Sequence, residues 1–337
     1  MSADPHATPG NNLSNASLPP NENLPPVEPP GAGSIVQLII IPAIIVGGLV
    51  MVWTLLGGLN QEKEVDMYLR TLERDTPARW QAAMSLSEIV RTSGDGGIRL
   101  DEDTAAKLRN LLDRELTTGR TDEQALRLRS YLCGTLGEFR VPGLLPVLIK
   151  VADSGTTEDE KKVRFAAVRA IAVYVESNPA EVERERKPLL AVVDKAADDE
   201  EPLMRSTAAF AFGAIHLPEA QAGLLKLLHD TTPDVRYNAA LTLSRRGDPA
   251  AVDVLVEMLD PKSTIGLESE KDEKLREAKQ VNILSNALRA AEALAKAKPT
   301  ADLAKLRAAI DKLAQDASVS PVIKVQAVET AAAFAKS

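Results

Sequence analysis

Val235 to Asp260 reads VRYNAALTLSRRGDPAAVDVLVEMLD. Its first part, Val235-Arg236-Tyr237-Asn238-Ala239-Ala240-Leu241 and on to Leu243, sets an apolar residue, a basic residue and a small pair at helical spacing. Its second part, AAVDVLVEMLD from Ala250, is a short amphipathic helix followed by polar residues. One such helix pair exposes apolar surface on two sides and cannot stand alone, so the stretch demands copies of itself.

The copies are present. The same phrase occurs at Ala78-Arg79 with Ala82-Ala83, at Leu128-Arg129 with Leu132-Cys133, at Val163-Arg164 with Ala166-Ala167, at Met204-Arg205 with Ala208-Ala209, and at Ile323-Lys324 with Ala327-Val328. A weaker copy is placed at Lys279, with Asn282-Ile283 as its pair. Successive basic residues lie about 41 positions apart on average, which is room for two helices per unit. PGLLPVLIKVAD from Pro142 and EAQAGLLKLLHD from Glu219 supply second helices elsewhere, and no run alternates as a strand would. The reading is an all-α solenoid of about seven helix pairs, with 261–274 as an insertion loop.

The small pair predicts close helix approach. The recurring basic residues, Arg79, Arg129, Arg164, Arg205, Arg236 and Lys324, are read as a structural ladder, each stem lying over the neighbouring repeat with its head on carboxylates or helix-end carbonyls there. An anion-binding track is the alternative; recurrence in register with packing residues favours the structural role.

Val235–Asp260 resembles a HEAT-type repeat of the kind also found in phycobilisome lyase subunits, with Asp234 and Arg236 in the motif's acidic and basic positions and Gly247-Asp248-Pro249 at the turn. The likeness extends loosely over residues 62–337. It implies a right-handed α-solenoid whose concave face is lined by second helices and binds proteins, and it implies no activity.

Ahead of the repeats, residues 1–33 hold eight prolines, three acids and no Lys or Arg, a composition that cannot offset chain entropy by burial. Residues 34–60 follow as an expected transmembrane helix. Ile35 to Leu59 is uncharged, and 25 residues make a helix of roughly 37 Å, enough to cross a hydrocarbon core of about 30 Å. Lys63, Arg70, Arg74 and Arg79 follow it and no basic residue precedes it, so the positive-inside rule places the array, residues 61–337, in the cytoplasm and the tail outside. Ala43, Gly47, Thr54 and Gly58 form one small-residue stripe along that helix, a face that lets a second copy approach as a homodimer.

Composition narrows the function. Among 337 residues, 40 basic against 48 acidic give a net charge of -8, which excludes a bulk electrostatic trap for nucleic acid. One cysteine, Cys133, rules out an intramolecular disulfide and any multi-cysteine metal site; the three histidines include no His-Glu dipeptide of the sort HEAT-type di-iron hydroxylases use. No phosphate-binding glycine motif occurs, and Cys133, in a small-pair position, reads as a buried structural thiol. Asp198-Asp199-Glu200-Glu201 reads as a solvated helix start. The expectation is a non-enzymatic, membrane-anchored scaffold that binds proteins and needs no cofactor or metal, touching the bilayer through residues 35–59. An accessory subunit of a membrane enzyme or transporter is the second reading.

Overall fold

The computed structural model describes residues 64–93, 101–155, 157–268, 270–298 and 302–334, together with Val46. The expected tail and nearly all of the expected membrane helix, including Ala43, Gly47, Thr54 and Gly58, lie outside the described residues. No described helix is long and apolar enough to cross a membrane.

The array is all helical among the described residues. Helix α1 covers 64–73. It is followed by α2 (Arg79–Ser93), α3 (Glu102–Thr117), α4 (Glu123–Gly137), α5 (Leu145–Asp153), α6 (Glu158–Ser177), α7 (Pro179–Arg184) and α8 (Arg186–Ala197). Then come α9 (Pro202–Ala214), α10 (Pro218–Leu227), α11 (Pro233–Arg245), α12 (Val252–Met258), α13 (Glu273–Ala297), α14 (Ala304–Gln315) and α15 (Pro321–Phe334). Helix starts follow local chemistry. Asp101, Asp122 and Asp272 accept hydrogen bonds from the backbone N–H groups of Thr104, Ala125 and Leu275. Proline opens α7, α9, α10, α11 and α15, where a missing donor costs nothing.

The helices form two layers. First helices α2, α4, α6, α9, α11, α13 and α15 stack side by side in one continuous row. Second helices make a second row, α3-α5-α8-α10 and then α12-α14, with α10 joined to the turn before α12 through Gln221 and Asp248. This is the stacked-pair solenoid the phrase demands, with six pairs flanked by α1 and α15 among the described residues. The basic residue's third and fourth successors are buried in the units from α2 to α11, and at Gly137 a side chain has no room: an added Cβ would sit 3.0 Å from the Cα and carbonyl oxygen of Ala170 on α6. Gly247 closes the α11 end at φ +72°, a left-handed value that suits glycine.

The unit placed at Lys279 departs from its expected register. Asn282 is exposed and Ile283 half-buried, whereas Ala287, Ala290 and Ala291 supply the buried small residues. The cause is length: α13 has 25 residues, its opening turns stand clear of the stack, and only its second half packs.

Candidate functional site

Arg79, Arg205, Arg236 and Lys324 sit in the first turn of a first helix, whereas Arg129, Arg164 and Lys279 are each the seventh residue of theirs. Arg205 is the most fully engaged. Its Nε and Nη2 donate to Asp230 at 2.7 and 2.9 Å, and Nη2 also reaches Thr232 Oγ1 at 3.1 Å. Its Nη1 donates to the carbonyls of Asp199 (3.0 Å) and Glu200 (2.9 Å). Arg236 repeats the pattern with the carbonyls of Asp230 and Thr231 and with Glu257 at 2.6 Å. Arg79 uses the Leu72 carbonyl, Asp75 and, at 2.8 Å, Glu115. Arg164 meets Asp199 at 3.6 Å.

Apart from Asp75, which precedes α2, the carboxylates come from the end of the second helix of the same unit or the turn after it, and the carbonyls from the segment before the arginine's own helix. The Arg205 guanidinium holds Asp230 below the usual carboxylate range. Lys324 reaches only the Ala317 carbonyl, at 3.4 Å. Arg129 differs altogether: it is 4% exposed, and its Nε and Nη2 have no hydrogen-bond partner. Asp234, at the start of α11, pairs with Lys279 at 3.2 Å.

Other polar contacts had no sequence signal. Along the second-helix row, Asp113 meets Lys150 (2.5 Å), Asp153 meets Lys195 (2.8 Å), and Asp253 meets Lys305 (2.5 Å). Asp198 likewise meets Lys226, so Asp198 and Asp199 are both engaged by basic side chains. Buried Glu181 accepts from the backbone N–H groups of Gly143 and Leu145 (3.4 Å) and from the Tyr174 hydroxyl (3.1 Å), closing the start of α5. Burial pushes the Tyr174 hydroxyl's pKa up.

With the second-helix row charge-paired, the first-helix row offers a different surface. A groove of about 440 Å³ runs across α9, α11 and α13, floored by Leu241 and Ile283 and bordered by Leu203, which is 64% exposed. Asn238, Asn282 and Asn286 bring amides to it, and its ionic groups, Asp234 and Lys279, neutralise each other. Such a lining suits an uncharged stretch of polypeptide, whose apolar side chains fill the floor while its peptide groups meet the amides. A second recess, of about 480 Å³, lies between α12 and α14 with Val256, Ile265 and Ala309 inside and Lys305, Lys312 and Asp316 around it. Among the described residues no group of three or more His, Cys, Asp or Glu is placed to hold a metal ion.

Residues 186–266, from α8 through the turn after α12, match the family described as HEAT repeats. No curated protein matches the sequence. Among solved structures, the Escherichia coli protein YibA is 19% identical, covers 79% of this chain and 92% of its own, and superposes with a TM-score of 0.42. A designed armadillo repeat protein is 18% identical over 80% of this chain and 98% of its own, with a TM-score of 0.40. Human deoxyhypusine hydroxylase in complex with glycerol is 18% identical over 84% and 99%, with a TM-score of 0.29.

Proposed function

We propose that this chain is a non-enzymatic scaffold, held at the membrane by residues 35–59, whose array binds partner proteins through the first-helix groove of α9, α11 and α13. The observation that carries the binding role is the combination of exposed Leu203 with three asparagine amides in a charge-neutral groove. The anchoring role rests on the uncharged 25-residue stretch and on the basic residues after it, which favour a cytoplasmic array and an external tail. A right-handed course of the solenoid belongs to the same reading.

Only Asn60 and Gln61 separate Leu59 from the charged start of the array, a tether too short to let the array range far from its anchor. That proximity also fits the second role, a subunit of a membrane enzyme or transporter.

The test is affinity purification of the full chain after mild detergent extraction, beside Leu203→Asp. Loss of the co-purifying proteins with unchanged thermal stability supports the groove; retention of the same set overturns it. A stoichiometric integral-membrane companion selects the subunit role over the scaffold. Release of the chain from membranes by alkaline wash overturns the anchor.

A further inference from the structure

The first helices α6, α9, α11 and α13 are successive neighbours in their row, and the groove residues lie on one stripe of each. A recess of about 310 Å³ between α6 and α9, with Phe165 and Lys162 in its wall, adjoins the groove at Leu203. Farther along the same stripes, at helical spacings of three, four or seven residues, stand Arg169 after Phe165, Phe210 after Leu203, Arg245 after Leu241 and Arg289 after Asn286. All four are exposed, Phe210 to 41%. They make a rail of three cations and one aromatic ring along the edge of the groove.

None of the three arginines meets a carboxylate among the described residues. Arg245 donates back to the Leu241 carbonyl at 3.3 Å, which draws its head toward the groove, and Arg289 reaches Asn286 at 2.5 Å. Lys162, seven residues before Arg169 on α6, is likewise exposed and without an acid. The acids lining the groove and its adjoining recess are already engaged: Asp234 with Lys279, Glu158 with Lys161, Asp199 with Arg164, and Glu201 in the field of Lys161. In a chain of net charge -8, this edge is a local excess of positive charge.

We infer that the guest of the groove is a segment of a partner protein whose carboxylates flank its uncharged part, the carboxylates meeting Arg169, Arg245 and Arg289 while apolar side chains pack on Leu203 and Phe210. The inference rests on the groove reading above and adds the charge of the partner. A guanidinium fork that no acid of its own chain occupies matches a carboxylate in geometry as well as in charge. Neighbouring helices stand roughly 8–10 Å apart, and an extended chain advances about 10 Å every three residues, so acids at that interval come level with successive helices. A flat lipid surface would leave the groove, about 440 Å³, unfilled, and a nucleic acid would be repelled by the chain as a whole.

The test uses the full chain in detergent micelles and a synthetic peptide of glutamate, serine and leucine repeated three times, carrying an uncharged dye and read by fluorescence anisotropy. The parent is expected to bind it about tenfold or more tightly than the analogue with glutamine in place of glutamate. Arg169→Gln with Arg245→Gln brings the two peptides to within about twofold, and Arg169→Glu with Arg245→Glu shifts the preference to a lysine analogue. Both arginines are exposed and make no ion pair, so the variants keep the parent's circular dichroism and melting temperature. Equal binding of the glutamate and glutamine peptides by the parent, binding of neither, a glutamate preference that survives in the double variants, or displacement of the peptide by a single-stranded oligonucleotide overturns the inference. Equal binding that Leu203→Asp abolishes overturns it and leaves the groove standing. A glutamate preference lost with the arginines but untouched by Leu203→Asp overturns the groove reading instead.

Discussion

Arg205 and Asp230 are joined at two points, Nε to Oδ2 and Nη2 to Oδ1, although 25 residues separate them. The pair ties the first turns of α9 to the turn after α10, and Arg205 adds the carbonyls that end the preceding unit. One side chain thus fixes three chain segments. Lysine cannot reproduce a planar fork, so Arg205→Lys lowers stability by about 1–2 kcal/mol, read by denaturant melts.

The same pair sets an acid limit. Hydrogen bonding to Arg205 lowers the folded-state pKa of Asp230, so its stabilising contribution is complete above the ordinary carboxylate range near pH 4 and is lost as pH falls through the folded value. The thermal midpoint of the wild type is therefore expected to drop below about pH 4. Asp230→Asn starts less stable and shows a shallower drop; an unchanged profile would refute the linkage.

Arg129 occupies the same phrase position with the opposite consequence. Its buried guanidinium carries two unpartnered nitrogens, and desolvating a charge without compensation is costly. Arg129→Met is expected to leave stability unchanged or to raise it by about 1–3 kcal/mol, whereas Arg205→Met lowers it by about 3 kcal/mol. Equal losses from both would show that Arg129 is paid for in some other way.

These two arginines mark how far the sequence could be read. The basic residue and small pair recur locally, so helical class and the buried positions were legible in Ala208-Ala209 or Ala239-Ala240, whereas the expected count of about seven pairs exceeds the six among the described residues. The partners were not, because Asp230, Glu257 and Glu115 lie 21 to 36 positions from their arginines and differ in type. The heads turn to acids of their own unit rather than the neighbour's, a choice made by helix packing and not by spacing. At α13 the phrase itself misled, since Lys279 stands on a helix extension that precedes the packed segment. Leu203 in the groove resembles any apolar helix residue until the fold exposes it.

Glu181 is the buried acid that sequence gave no reason to notice. It serves two backbone donors ahead of α5 and the Tyr174 hydroxyl together. Removing it leaves the Gly143 and Leu145 N–H groups without this acceptor, while the Tyr174 hydroxyl still donates to the Val141 carbonyl at 2.8 Å, so Glu181→Ala is expected to cost about 1–3 kcal/mol. Glu181→Gln, which keeps an acceptor, loses less. Chemical denaturation of both variants decides the order.

Cys133 is fully enclosed, and burial pushes its thiol pKa up to about 12. Maleimide or iodoacetamide is expected to leave the native protein unmodified and to label it fully once unfolded, with a labelling rate that tracks the unfolding equilibrium. Rapid labelling under native conditions would contradict the packing at the α4 small pair.

The lysine-carboxylate contacts of the second-helix row lace one side of the array from unit to unit, while the first-helix row is joined by packed alanines. Ions loosen the former and spare the latter, so rising ionic strength softens the array in one direction only. At the joint between α10 and α12 the lacing contact is the hydrogen bond from Gln221 to Asp248. The groove of α9, α11 and α13 spans the same joint on the opposite side, so flexure there widens or narrows the mouth offered to a guest.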